Sequence, residues 1–203
     1  MHAAEQHRPD VAEKRAHWYE ELQMENTGAL VFLDESGANT QMARRGGRSP
    51  VGQRLVAHVP HGHYQTGTLI AAIRLEGPSA PWVFDGPMNG QMFLAWVKQG
   101  LVPVLKKGDL VILDNLSTHK VQGVREAIEA VGARLKYLPP YSPDFNPIEN
   151  MWSKIKQILR SLAPRTQDQL LDATRSAFEA ISITDCHGFF SHARYAILFM
   201  ETL

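Results

Sequence analysis

The 203-residue sequence contains one cysteine, Cys186, so no disulfide can form within the chain and a reducing compartment is favoured. Such a lone thiol is expected to pack as a small apolar group in the core. An excess of charge is also missing. Lys plus Arg and Asp plus Glu each total 21, so composition gives no reason to expect a polyanionic partner, and any basic surface must be local. No apolar run approaches the roughly 20 residues of a membrane-spanning helix. The opening MHAAEQHRPDVAEKR is polar and charged, unlike a signal sequence. A cytoplasmic protein is expected. Repeats and low-complexity linkers are absent too, and with 44% hydrophobic residues the length fits one domain with a sizeable core.

What is present alternates between apolar runs and helical patterns. Residues 10–24 have the spacing of an amphipathic helix, broken by Asn26, Thr27 and Gly28. ALVFLD (29–34) reads as a buried strand ending in a carboxylate. The turn-rich segment after it holds Arg44, Arg45, Arg48 and Arg54 with no acidic residue between Thr40 and Leu55, the clearest basic cluster in the chain. RLVAHV (54–59), GTLIAAIRL (67–75) and PWVFD (81–85) have β character and suggest an antiparallel meander. A helix over 89–101 precedes DLVILDN (109–115), a second apolar run ending in a carboxylate. A helix (119–131), a strand (133–138), a proline-rich loop and three helical stretches complete the chain. This order predicts an α/β fold: a mixed sheet, antiparallel first and parallel later, flanked by helices.

Three carboxylates occupy edges of these elements. Asp34 and Asp114 end strands, and Glu149 opens a helix after YLPPYSPDFNPIEN, a loop stiffened by four prolines in fourteen residues. Groups so placed are held by rigid elements yet reach solvent. Converging carboxylates without a cysteine ligand suit Mg²⁺ or Mn²⁺, and two such ions serve phosphodiester displacement. Structural readings stand beside this one: a turn or cap at Asp34 and Glu35, an Asx turn at Asp114 and Asn115, and a capping box in which Asn146 is the N-cap, Pro147 takes N1 and Glu149 takes N3. On the following helix Ile148, Met151, Ile155, Ile158, Leu159 and Leu162 form an apolar stripe, with Lys156 and Arg160 on the side of Glu149. Those cations are either a solvated face or a phosphate track.

Together DES (34–36), DNLSTH (114–119) and YSPDFNPIENMWSKIK (141–156) resemble the catalytic domain of DDE transposases, in the bacterial insertion-sequence branch of the superfamily that includes the mariner elements. The 34 residues between Asp114 and Glu149 match the spacing of its aspartate-to-glutamate members. The resemblance implies a ribonuclease-H-like domain over 29–203 behind a helical lead-in of 1–28. It implies that Asp34, Asp114 and Glu149 hold two divalent ions, Mg²⁺ or Mn²⁺, for cleaving transposon ends and joining them to target DNA, often at a TA dinucleotide. Asn115, His119, Asn146 and Asn150 match accessory positions, His119 and Asn146 as groups behind the ligands or on DNA. Arg44, Arg45, Arg48, Lys156 and Arg160 are expected on DNA phosphates. Relatives carry a helix-turn-helix region ahead of this domain, which leaves three expectations for this chain: a second reading frame joined by frameshifting, a truncated remnant, or a catalytic half that works with a separate helix-turn-helix segment or protein. A homodimer on DNA and a nucleoid-associated location are implied as well. A ribonuclease-H-like nuclease without joining activity, or a silent remnant that binds DNA, fits the same residues. A haloacid-dehalogenase-like phosphatase needs a second Asp where Ser36 stands.

Overall fold

Among the described residues the sheet has five strands, side by side in the order Gly77–Asp85, Thr66–Arg74, Leu30–Asn39, Leu110–Leu113, Arg134–Tyr137. In the computed structural model, which describes residues 4–22, 25–44, 46–56, 58 and 60–195, they are β1 (Leu30–Asn39), β2 (Thr66–Arg74), β3 (Gly77–Asp85), β4 (Leu110–Leu113) and β5 (Arg134–Tyr137). β1 pairs antiparallel with β2, and β2 with β3; β1 pairs parallel with β4, and β4 with β5. The expected mixed sheet, antiparallel and then parallel, is the observed one.

Side chains alternate across a strand, so the apolar runs of β1 and β4 feed two cores. Leu30, Phe32, Leu110 and Ile112 face α1 (Pro9–Leu22), α4 (Ile148–Leu162), α5 (Gln167–Glu179) and α6 (Ile183–His192), meeting Trp18, Met151, Trp152, Ile155 and Phe190. Val31, Leu33, Val111 and Leu113 face α2 (Gly90–Trp96) and α3 (Val124–Glu129), meeting Phe93, Trp96, Val124 and Ile128. Burial on both faces explains why these strands read as continuous apolar runs. Cys186 is fully buried in the first core, as expected.

Four sequence expectations need correction. β1 does not stop at Asp34 but runs on through polar residues to Asn39, because β2 supplies partners as far as Asn39↔Thr66. No strand forms over the described residues of RLVAHV (54–59): residues 54–56 and 58 are irregular, and Leu55 and Val56 lie exposed. The helix placed at 119–131 is cut in two, a 3₁₀ turn over Ser117–Lys120 and then α3, which starts after Gly123 at φ 96°, in the left-handed region that glycine tolerates. On α4, Leu162 is exposed, and Trp152 takes its place in the buried stripe.

Candidate active site

The register of the parallel strands sets the geometry. Leu30, Val31 and Phe32 pair with Leu110, Val111 and Ile112. Continuing that register places Asp34 level with Asp114, just past the last residue of β4, and on the face that packs against α4. β1 keeps a partner there because Asp34 still pairs with Ala71 of β2. Glu149 lies in the first turn of α4. All three carboxylates line one cavity of about 440 Å³, together with Leu138, Pro139, Pro140, Tyr141 and Pro143.

The charges in this cavity are in conflict. Burial, the Glu149 carboxylate, and then Glu35 and Asp114 push Asp34 up to about 8, opposed only by a backbone hydrogen bond. Glu149 is also raised, by loss of solvent at the cavity wall; Lys156 opposes the shift and Asp114 adds to it. Among the described residues no group of three His, Cys, Asp or Glu side chains is already arranged to hold a metal ion. The donor chemistry nonetheless fits one. The set is all carboxylate, hard and oxygen-rich, and a divalent cation would offset the burial and the carboxylate repulsion that raise Asp34. Asp34, Asp114 and Glu149 are the residues that could hold it.

The structural readings divide. Asp114 does make an Asx turn, accepting from Leu116 N–H at 3.1 Å on Oδ1. The capping box at Asn146 does not form. Pro147 is the N-cap, the Asn146 N–H donates to the Pro143 carbonyl at 3.0 Å, and the Asn146 side chain accepts only a long 3.4 Å bond from Ile148 N–H. Among the described residues no hydrogen bond engages the Glu149 carboxylate, so helix capping does not account for it. The loop before it is held from outside: Tyr141 O accepts from Gln6 at 2.7 Å, Arg15 bonds Ser142 Oγ and both oxygens of Asp144, and Tyr195 donates to Phe145 O at 2.7 Å. Tyr141 itself sits at φ 56°.

The accessory positions scatter. Asn115 and the buried Asn146 line the cavity, whereas Asn150, half-buried, is not part of its wall. His119 lies behind the cavity, fully buried, with Nε2 2.9 Å from Glu35 Oε1 and Nδ1 2.6 Å from Asp114 Oδ1. Burial disfavours its charge, but Asp114 and Glu35 outweigh that and lift it to about 10. Sequence read Glu35 only as part of a turn or cap with Asp34, and gave Arg15 and Tyr141 no role of their own.

A larger groove, about 1030 Å³, opens beside the carboxylates. Arg44 and Arg48 from the β1–β2 connection and Lys156 and Arg160 from α4 line it, so residues about a hundred positions apart in sequence share one surface. Arg45 lies outside the described residues. Lys156 follows Glu149 by two helical turns and acts on it electrostatically, so α4 carries residues of both the cavity and the groove. Among the described residues no helix is long and apolar enough to cross a membrane.

Residues 29–171 match the family described as DDE superfamily endonuclease. No curated protein matches the chain significantly. Solved structures with the same architecture include a pre-cleavage Mos1 transpososome (TM-score 0.69, 11% identity, 91% of this chain and 59% of that one). The Mos1 mariner paired-end complex with Mn is similar (TM-score 0.71, 13% identity, 96% of this chain and 62% of that one). So is the catalytic domain of Mos1 mariner transposase alone (TM-score 0.67, 12% identity, 96% and 93%). This chain spans about three fifths of the length of the first two. The shared fold is the ribonuclease-H-like one expected from the motifs.

Proposed function

The chain belongs to the DDE superfamily of endonucleases, and from that membership and the site geometry we propose that it is the catalytic domain of a DNA transposase of the bacterial insertion-sequence branch. The observation that carries this reading is the convergence of Asp34, Asp114 and Glu149 on one cavity, from adjacent parallel strands and a helix start. These residues are the metal ligands and catalytic groups of the proposal. When bound there, two Mg²⁺ or Mn²⁺ ions supply positive charge for the attacking and leaving oxygens of a phosphodiester displacement.

The protein's own residues supply the rest. The proline-rich wall, braced by Arg15, fixes the α4 start and keeps Glu149 opposite the aspartates. Arg44, Arg45, Arg48, Lys156 and Arg160 carry the DNA backbone toward the cavity, a role supported by the basic groove that the described four share. Asn115 and Asn146 contact the substrate from the cavity wall, while His119 acts from behind the ligands and Asn150 from the helix start. In this reading residues 29–203 form the catalytic domain behind a helical lead-in of 1–28. Transposon ends and target DNA are the substrates, a helix-turn-helix segment or protein recognises the ends, and the active form is a homodimer on DNA. The test is nicking and joining of DNA that carries candidate terminal repeats, with and without Mg²⁺. Metal-dependent nicking followed by joining is expected. Nicking without joining reduces the protein to a nuclease, and no cleavage under any metal overturns the reading.

A further inference from the structure

The alternation of β1 sends two adjacent acidic residues in opposite directions. Asp34 enters the cavity; Glu35 lies on the other face, in the layer of Leu33 and Phe93. There it meets His119, whose ring is fully buried and lies 4.4 Å, centroid to centroid, from the Phe93 ring. Both Glu35 oxygens lie within reach of His119 Nε2, at 2.9 and 3.1 Å. The far side of the ring approaches Asp114, Nδ1 to Oδ1 at 2.6 Å, a close ion-pair contact set off the line of an ideal hydrogen bond. Asp114 follows the last residue of β4 and begins a connection whose residues 115–118 are exposed, and the Leu116 N–H is the one backbone group that the described residues offer its carboxylate. Its contacts among the described residues, from Leu116 N–H and from His119, all fall on Oδ1 and leave Oδ2 free. A buried His–Glu pair contributes little net stability, so holding the neighbouring carboxylate gives it a role that packing does not.

We propose that Glu35 is a positioning residue: through His119 it fixes the orientation of Asp114, so that Oδ1 is tied back and Oδ2 is presented to a divalent cation. The proposal rests on Asp114 being a metal ligand. The experiment is Mn²⁺ titration of the DNA-free protein, followed by calorimetry and by electron paramagnetic resonance, so that no turnover is needed. Groups that orient metal ligands usually change metal affinity by about 10- to 100-fold when removed. Glu35→Ala and His119→Ala are expected to weaken Mn²⁺ binding by that factor. Glu35→Gln, whose amide oxygen still accepts from Nε2–H, should stay within about threefold of wild type. The double variant should bind no more weakly than His119→Ala alone, because Glu35 orients Asp114 only through the ring. Glu35→Met keeps the side-chain volume without an acceptor and replaces Glu35→Ala if the latter melts early. Asp114→Asn separates the two levels of the argument. If it leaves Mn²⁺ binding intact, the ligand assignment fails and this proposal with it. If it abolishes binding while Glu35→Ala, Glu35→Met and His119→Ala bind like wild type, the positioning role alone is overturned.

Discussion

Asp34 sits where folding and chemistry pull apart. Burial, reinforced by Glu149, raises its pKa to about 8 in the metal-free fold, against roughly 4 in an unfolded chain. Between those values the folded state holds a proton that the unfolded state has released, so metal-free stability falls as pH rises from about 4 to about 8. Asp34→Asn should flatten that stretch of the stability curve, melt at or above the wild-type temperature near pH 8, and lose metal-dependent cleavage. A thermal-melt series across pH checks the first part; a variant destabilised at every pH would make Asp34 a structural residue. The grouping of Asp34, Asp114 and Glu149 was legible because the two aspartates close strong apolar runs and Glu149 opens a helix with a clear apolar stripe. The Glu35–His119 link was not, since its partners are 84 residues apart and its meaning comes from strand alternation around a buried ring.

Among the elements, sequence patterns located every strand with a partner and misjudged the one without. RLVAHV has β-branched residues, but its described residues pair with no strand, and DESGAN has little β pattern yet becomes strand because β2 lies beside it. The same dependence on distant partners governs two struts. Arg74 ends β2 and reaches Asp109 just before β4, Nη2 to Oδ2 at 2.5 Å, with both side chains nearly solvent-free. Burial works against the Asp109 charge, but Arg74 and the Lys106 N–H more than offset it and hold its pKa below the usual value. A depressed carboxylate contributes stability that is complete above about pH 4 and is lost as pH falls further. Asp109→Ala, which strands a buried guanidinium, should cost about 3 to 5 kcal/mol in urea unfolding. A loss under about 1 kcal/mol, the scale of an exposed ion pair, would mean that Arg74 finds other partners. The second strut, Arg15, also stacks on Phe145 at 4.2 Å while bonding the proline-rich wall. Arg15→Ala should keep its far-ultraviolet circular dichroism yet cleave DNA at least about tenfold more slowly, because ligand misplacement of about 1 Å costs on the order of a hundredfold. Unchanged rates would show that the prolines hold the wall unaided.

At the scale of the whole molecule, a chain with zero net charge brings Arg44, Arg48, Lys156 and Arg160 together on one groove. The antiparallel half of the sheet extends β1 beyond the end of β4, which opens the carboxylate cavity at the step between them. The connection from β1 to β2 then brings Arg44 and Arg48 across to Lys156 and Arg160 on α4. Helical periodicity alone gave the α4 half of this surface; the other half depends on where an irregular segment folds back, which no local pattern encodes. If the groove tracks a DNA backbone, each cation displaces condensed counterions. Replacing Arg44, Arg48, Lys156 or Arg160 by alanine should then weaken binding to all sequences alike and reduce the slope of log K against log salt by about one unit. Lys156→Ala should do one thing more. Lys156 holds down the pKa of Glu149, so its loss should shift the rise of cleavage activity to higher pH, whereas Arg44→Ala and Arg48→Ala leave that profile in place. Fluorescence anisotropy at several salt concentrations, with a pH–rate profile for each variant, reads both effects. Slopes unchanged in all four variants would make the groove an ordinary solvated face, and the path of DNA to the carboxylates would have to run elsewhere.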